Sequence, residues 1–135
     1  GEEAFTCRYM ALTQHLTFLR EHAGKTAAAT WRLDIHRGSL VDDVLAHFGK
    51  LKHRGQLWRR TEVCFLDELG QREEGVDQGG LSRELHAKFW EAVVHPTAAL
   101  FEQAADSAGG GTLLPRADAP PERLRQLGLV LCKAV

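Results

Sequence analysis

A strand, a turn and a long amphipathic helix follow one another in residues 60–94, and this order constrains the fold more than any other part of the sequence. Residues 61–66 are rich in β-branched and aromatic side chains, and the apolar run from Val63 to Leu66 is typical of a strand covered on both faces. Apolar side chains then recur every four residues, which predicts the core face of a helix: Leu81, Leu85, Phe89 and Val93. The combination predicts an α+β domain.

The turn before this helix is rich in glycine and acidic residues. Asp77 stands where an N-cap belongs, so its carboxylate can accept hydrogen bonds from the amides of Gly79 and Gly80 and complement the positive helix end. Glycine at these positions also lets neighbouring backbone segments approach closely. We therefore expect a tight structural corner between the strand and the helix.

The sequence of this corner resembles a known motif. Residues 74–84 read Glu-Gly-Val-Asp-Gln-Gly-Gly-Leu-Ser-Arg-Glu, which is similar to the E-G-x-D-x-G-G-x-x-R-E signature near the start of HECT-type E3 ubiquitin ligase domains. Three further segments resemble the same family in the same order: the strand and helix of residues 33–45, the Leu-Phe-Glu of residues 100–102 and the apolar helix of residues 127–135. Four collinear matches over residues 31–135 are more specific than one glycine-rich motif.

The resemblance implies the large subdomain of a HECT N-lobe, truncated, with an α+β fold that is predominantly helical with a few short strands. HECT domains accept ubiquitin from an E2 enzyme as a thioester on their own cysteine and pass it to a substrate lysine. That cysteine lies in a C-terminal lobe beyond the matched region. The resemblance therefore implies an inactive structural part of a ubiquitin-protein transferase whose partners are an E2 enzyme, ubiquitin and protein substrates. The alternative is a non-catalytic interaction module derived from an N-lobe.

The signature residues are expected to be architectural, and they are Glu74, Gly75, Asp77, Gly79, Gly80, Arg83 and Glu84. We expect Arg83 and Glu84 to pair with neighbouring loops, and clustered acids such as Glu73 to cap a helix or face solvent. We predict no catalytic, cofactor-binding or metal-binding residue. The sequence departs from the family pattern at Leu85 and His86, which replace an aromatic pair, and at residues 71–73, which lengthen the turn. These departures from the pattern affect the assignment of a subfamily more than the assignment of the family.

Composition limits the remaining classes of function. The chain of 135 residues has a formal net charge of −1, which gives no electrostatic argument for nucleic acid or an anionic membrane. No apolar run approaches the length of about 20 residues needed to span a bilayer. Cys7, Cys64 and Cys132 are odd in number and widely spaced, which indicates reduced thiols and a cytoplasmic location, with the nucleus left open. Cys64 and Cys132 are expected to be inert in apolar surroundings.

Three motifs suggest chemistry that their context does not support. Gly24-Lys25-Thr26 resembles the end of a phosphate-binding loop, but Leu19 stands where that loop needs glycine. The basic residues 50–60 include Trp58, a combination that can stack on nucleic acid, but a positive helix end followed by a solvated loop is the preferred interpretation. None of the seven histidines has the spacing of a zinc site, and His86 is predicted to lie opposite the core stripe.

The other segments complete the predicted organisation as a helical flank in residues 1–30 and a partial N-lobe in residues 31–135. A helix is predicted for residues 9–21, a strand for residues 31–37, and a helix that begins at a capping box formed by Ser39 and Asp42. A short strand or turn follows at residues 98–102. Residues 104–119 predict a surface loop with a brief strand at 112–114, and Pro121 opens a last helix. The apolar residues of this helix continue at helical spacing as far as Val135, so we expect the chain to be a piece of a longer protein.

Overall fold

The computed structural model describes residues 1–26, 30–51, 54–74, 78–105 and 111–134. Within these residues the chain is mostly helical with short strands, which confirms the predicted α+β class. The helices and strands, in chain order, are α1 (Glu2–Thr26), β1 (Trp31–His36), α2 (Leu40–Gly49), β2 (Thr61–Leu66), α3 (Gln78–Val94), β3 (Phe101–Gln103), β4 (Leu113–Pro115) and α4 (Pro121–Ala134). Short 3₁₀ turns lie at Arg37–Ser39, Arg54–Trp58 and Pro96–Ala98.

β1 and β2 form a two-stranded parallel sheet, with Trp31 opposite Thr61 and His36 opposite Leu66. Parallel strands need a long crossover, and here the crossover contains α2. Three consecutive residues of β2, from Val63 to Phe65, are buried, so both faces of this strand are covered as its apolar run predicted. Helix α3 packs against β2, and α2 packs against β1.

The core lies between this sheet and helices α2, α3 and α4. Each helix contributes the apolar side chains of one face, spaced by three or four residues. The α3 stripe is buried as predicted at Leu85, Phe89 and Val93, while Leu81 is only partly covered. From α4, Leu127 and Val130 complete the core.

A small antiparallel hairpin of β3 and β4 follows α3, with Phe101 opposite Pro115. The buried Leu100 anchors its base, and the amide of Arg116 donates to the Leu100 carbonyl at 3.0 Å. The predicted turn and short strands of this region are present, with β4 one residue later than the prediction for residues 112–114. Residues 106–110 of the predicted loop lie outside the described residues.

Helix α1 is longer than the helix predicted for residues 9–21. Hydroxyl groups inside it bond back to carbonyls one turn earlier, from Thr6 to Glu2 and from Thr13 to Tyr9. A threonine whose hydroxyl donates to a carbonyl of the preceding turn can lie inside a helix. The helix can therefore extend beyond the residues whose apolar periodicity predicted it. Among the described residues, none of the helices combines the length and apolar character that crossing a membrane requires.

One prediction about burial is met in part and another is wrong. In the predicted solvated loop of residues 50–60, Lys50 and Arg60 are exposed, but Leu57 of the Arg54–Trp58 turn is only 5% exposed and belongs to the core. Cys132 was expected in apolar surroundings but is exposed. Helical residues advance by about 100°, so a residue two positions after the buried Val130 points away from the core. Cys64 is buried, as predicted.

Candidate functional site

Arg37 is the centre of a network at the carboxyl ends of the two parallel strands. Its Nε donates to both carboxylate oxygens of Glu73, at 2.8 and 3.0 Å, and its Nη2 donates to the same carboxylate at 2.9 Å. Its Nη1 donates to Glu84 Oε1 at 2.7 Å. The guanidinium carbon also lies 4.1 Å from the centre of the Phe65 ring, within cation–π range. We call Arg37, Phe65, Glu73 and Glu84 the arginine clamp.

The local backbone explains why these side chains meet. Arg37 directly follows β1, and the carboxyl ends of parallel strands lie at the same edge of the sheet. After β2 the chain turns back, because the Asp67 carboxylate accepts hydrogen bonds from the amides of Leu69 and Gln71 at 2.9 and 2.8 Å. Gly70 takes a positive φ of 75° within this turn. The amide of Glu73 then donates to the Phe65 carbonyl at 2.9 Å, which places the Glu73 side chain beside Arg37.

The charges of the clamp stabilise one another. Hydrogen bonds to Glu73 and then Glu84 raise the pKa of Arg37 above its ordinary value, so the guanidinium keeps its charge. The hydrogen bonds from Arg37 lower the pKa of Glu73. The bidentate geometry to Glu73 is the arrangement in which arginine binds a carboxylate most specifically. Lys88 adds a weaker ion pair to Glu84 at 3.9 Å, one helical turn along α3.

A second network joins the end of β1 to α2. The Asp43 carboxylate accepts from the His36 amide at 2.8 Å, and the His36 ring Nδ1 lies 2.9 Å from the same oxygen. The Ser39 hydroxyl lies 3.2 Å from the other oxygen. Burial acts to raise the pKa of Asp43, but the hydrogen bonds from His36 and Ser39 outweigh it and leave the pKa below its ordinary value.

The predicted capping box of Ser39 and Asp42 is wrong. Ser39 is the N-cap of α2, but its side chain makes no capping hydrogen bond. Its hydroxyl bonds Asp43 instead, because Asp43 is already held toward β1 by the His36 amide. Asp42 reaches across to Arg123 of α4 at 2.7 Å.

The signature residues have different surroundings in the structure. Glu84 belongs to the clamp and pairs with Arg37, which lies in the turn after β1. Arg83 was expected to pair with a neighbouring loop, but its Nε donates to the Gly79 carbonyl of its own helix at 3.2 Å. Glu74 is exposed, and Gly79 and Gly80 lie in the first turn of α3. Gly75 and Asp77 lie outside the described residues, and the predicted cap at Asp77 lies there with them.

Sequence reasoning missed Arg37 and Glu73 as partners. Arg37 was predicted only as the end of a strand, and Glu73 as a cap or a solvent-facing acid. The two residues are far apart along the chain, and no local spacing rule relates them. One signal could have indicated this pair. Arg37 ends the first predicted strand and Glu73 lies in the acidic turn after the second, and the carboxyl ends of parallel strands meet at one edge of a sheet.

The contacts at this edge of the sheet hold the strands and α3 together. Two residues of the clamp, Arg37 and Glu73, line an open groove of about 680 Å³, and Ser39, Leu66 and Glu68 are among its other lining residues. No cysteine lines this groove. Across the part of the chain that the structure describes, no group of three or more histidine, cysteine or acidic residues is arranged to hold a metal ion. The clamp ties the ends of both strands to α3.

Comparison with known proteins relates the chain distantly to a ubiquitin ligase. No protein-family model matches the chain. The chain is 29% identical over 103 residues to the E3 ubiquitin-protein ligase UPL6 of Arabidopsis thaliana. The aligned region covers 76% of this chain and 10% of UPL6, so the chain spans about a tenth of the length of that relative. The similarity indicates a distant relation between this chain and a ubiquitin ligase.

Proposed function

We propose that this chain is the first part of the large subdomain of a HECT N-lobe, and that it serves a ubiquitin ligase as a structural element. The observation that carries the proposal is the 29% identity to a ubiquitin ligase over 103 residues. The order of the HECT-like segments, from the β1–α2 region through the signature to α4, adds to this support. The clamp gives one signature residue, Glu84, a physical role, because it joins α3 to the end of β1.

In this proposal the parent protein is a ubiquitin-protein transferase of the cytoplasm or the nucleus. A cysteine thiolate of the parent attacks the thioester that joins ubiquitin to an E2 enzyme, forms a new thioester and releases the E2 thiol. A substrate lysine then attacks the new thioester, and an amide bond replaces it. The parent's partners are therefore an E2 enzyme, ubiquitin and a protein substrate.

The proposal places the acceptor cysteine outside this chain. Cys64 is 2% exposed within β2, and its sulfur lies 3.9 Å from the Phe65 carbonyl oxygen, so its thiol cannot reach a thioester carried by an E2 enzyme. Cys7 and Cys132 are exposed on α1 and α4, and neither lines the groove beside the clamp.

The test uses the full-length protein and a panel of E2 enzymes charged with ubiquitin. We expect a ubiquitin adduct on a non-reducing gel that disappears on reduction, as a thioester does. A matched variant carries C7A, C64A and C132A together, and we expect it to form the same adduct.

Two results would overturn parts of the proposal. No reducible adduct with any E2 enzyme would reject the ligase function and favour a non-catalytic interaction module. Loss of the adduct in the folded triple variant would instead place the acceptor cysteine within this chain. Circular dichroism of the triple variant separates that second result from unfolding.

A further inference from the structure

Helix α1 exposes a large part of its apolar surface. Five of its apolar side chains are 51–72% exposed: Phe5, Tyr9, Met10, Leu12 and Phe18. Among the described side chains of this helix, Leu16 alone is partly covered. The most extensive contact between α1 and the rest of the described chain is with the Arg54–Trp58 turn. Most of the helix therefore lies outside the core, and an apolar surface of this kind marks a site of interaction.

Four apolar side chains of α1 form a row in which steps of four and three residues alternate. We call this row the α1 stripe, and it consists of Phe5, Tyr9, Leu12 and Leu16. An average step of about 3.5 residues is typical of two helices that wind around each other, each with its side chains between those of the other. The rings of Phe5 and Tyr9 stack along the stripe, with 6.4 Å between their centres. The spacing therefore indicates a second helix as the occupant of this surface.

The α1 stripe is complementary to itself when two copies of the helix run antiparallel. With Tyr9 opposite Leu12 of the second copy, Phe5 lies opposite Leu16, and each of these contacts occurs twice about a two-fold axis. The helices α2, α3 and α4 already bury an apolar face in the core. Among the described helices, a second copy of α1 is therefore the best match for the stripe.

The charges of α1 also favour the antiparallel direction. Glu2 and Glu3 lie in the first turn of the helix. In the register given above, Glu3 of one copy lies opposite position 18 of the other, close in sequence to the basic residue Arg20. The two helix dipoles then oppose each other favourably. A parallel pair would instead bring the acidic first turns of both copies together, where like charges repel.

We propose that the chain forms a dimer in which the α1 stripe packs antiparallel against the α1 stripe of a second copy. An isolated helix is only marginally stable in water, so this pairing also stabilises α1. The interface consists of one narrow helix face from each copy, which is typical of weak or transient association. It contains no residue of the arginine clamp, so the dimer is independent of the contacts that hold the strands and α3 together.

The test measures the mass of the chain by sedimentation equilibrium at concentrations from about 1 to 300 μM, which bracket a dissociation constant in the micromolar range. We expect the monomer mass of 15.0 kDa at the lowest concentration and a rise toward twice that mass at the highest. The variant Y9K/L12K places two charges in the α1 stripe of each copy. Because these charges replace apolar contacts, we expect the dissociation constant to rise at least about tenfold.

The matched control is M10K/F18K. The side chains of Met10 and Phe18 are as exposed as those of Tyr9 and Leu12, at 51–55%, but they lie on the side of α1 away from the stripe. The control adds the same charge to the same helix, and we expect its association to equal that of the wild type. Circular dichroism of both variants checks that the helices are retained.

Disulfide cross-linking tests the direction of the pair. The variants Y9C and L12C are prepared separately, each with C7A and C132A to remove the exposed thiols of the wild type, and are then mixed and oxidised. We expect the mixed disulfide between positions 9 and 12 to dominate, because the antiparallel register brings these two positions within bonding distance. Mass spectrometry distinguishes the mixed disulfide from either homodimer.

Four results would overturn the proposal. They are a monomer mass at every concentration, unchanged association in folded Y9K/L12K, equal weakening in Y9K/L12K and M10K/F18K, and homodimer disulfides in place of the mixed one. These measurements do not depend on ubiquitin transfer, so their failure would leave the proposed function standing.

Discussion

Replacing Arg37 by alanine tests whether the arginine clamp stabilises the fold. The side chains of Arg37, Glu73 and Glu84 are 37%, 34% and 35% exposed, so their ion pairs are screened more than buried pairs. The pair with Glu84 should contribute up to about 1 kcal/mol, and the contact with the Phe65 ring about 0.5–1 kcal/mol. The bidentate bonds to Glu73 add to this, so we expect R37A to lower the free energy of unfolding by about 2 kcal/mol. For a chain of this length, that loss corresponds to a fall of about 7 °C in Tm.

The assay is urea unfolding followed by circular dichroism, with a double-mutant cycle between R37A and E84Q. R37K keeps the charge but loses the planar fork, so roughly half of the stability loss should remain. R125A is the matched control, because Arg125 is 55% exposed and pairs only with Glu122 of its own helix in the described contacts, and we expect no measurable change. A loss below about 0.5 kcal/mol in R37A, or a coupling energy of zero with Glu84, would refute the reasoning.

Three further measurements test the pH response and the core. The folded-state pKa of Asp43 lies below its ordinary value of 3.8, so its carboxylate stabilises the fold above about pH 4, and this contribution is lost as the pH falls through the folded-state pKa. Urea unfolding should therefore find D43N less stable than the wild type at pH 7, with the difference shrinking below pH 4. The folded-state pKa of His86 lies below 6.5, so stability should fall as the pH drops below about 6.5, and thermal unfolding of H86Q should show a smaller decrease between pH 7.5 and 5.5. Phe89 is 1% exposed, and F89A should lower the free energy of unfolding by about 3–5 kcal/mol in urea titrations.

Local periodicity predicted most of the regular structure. The apolar run of β2 and the four-residue spacing of Leu85, Phe89 and Val93 depend only on neighbouring residues, and both were confirmed. The direction of side chains on α4 was harder to predict, because Leu131 and Val130 differ by one helical step and yet one is 53% exposed and the other 1%. Which of two adjacent apolar residues is buried depends on how the helix is rotated about its own axis when it packs on the core. The sequence of the helix alone does not determine that rotation.

The candidate site could be predicted only in part for a similar reason. Glu84 was singled out by its place in the motif, whereas its partner Arg37 lies 47 residues earlier, in the segment of residues 33–45, where no residue was assigned a role. The bond from Arg37 to Glu73 likewise joins residues 36 positions apart along the chain.

The parallel pairing of β1 and β2 has a consequence for the order in which the chain folds. Trp31 lies opposite Thr61, about thirty positions later, so pairing carries the entropy loss of closing a long loop. Helix α2 needs only local hydrogen bonds and can form first. On a ribosome, β1 emerges before its partner strand exists, and the apolar side chains of Leu33 and Ile35 are then uncovered. Until β2 and the helices that cover the sheet have also emerged, these side chains leave the nascent chain prone to aggregation and dependent on chaperones.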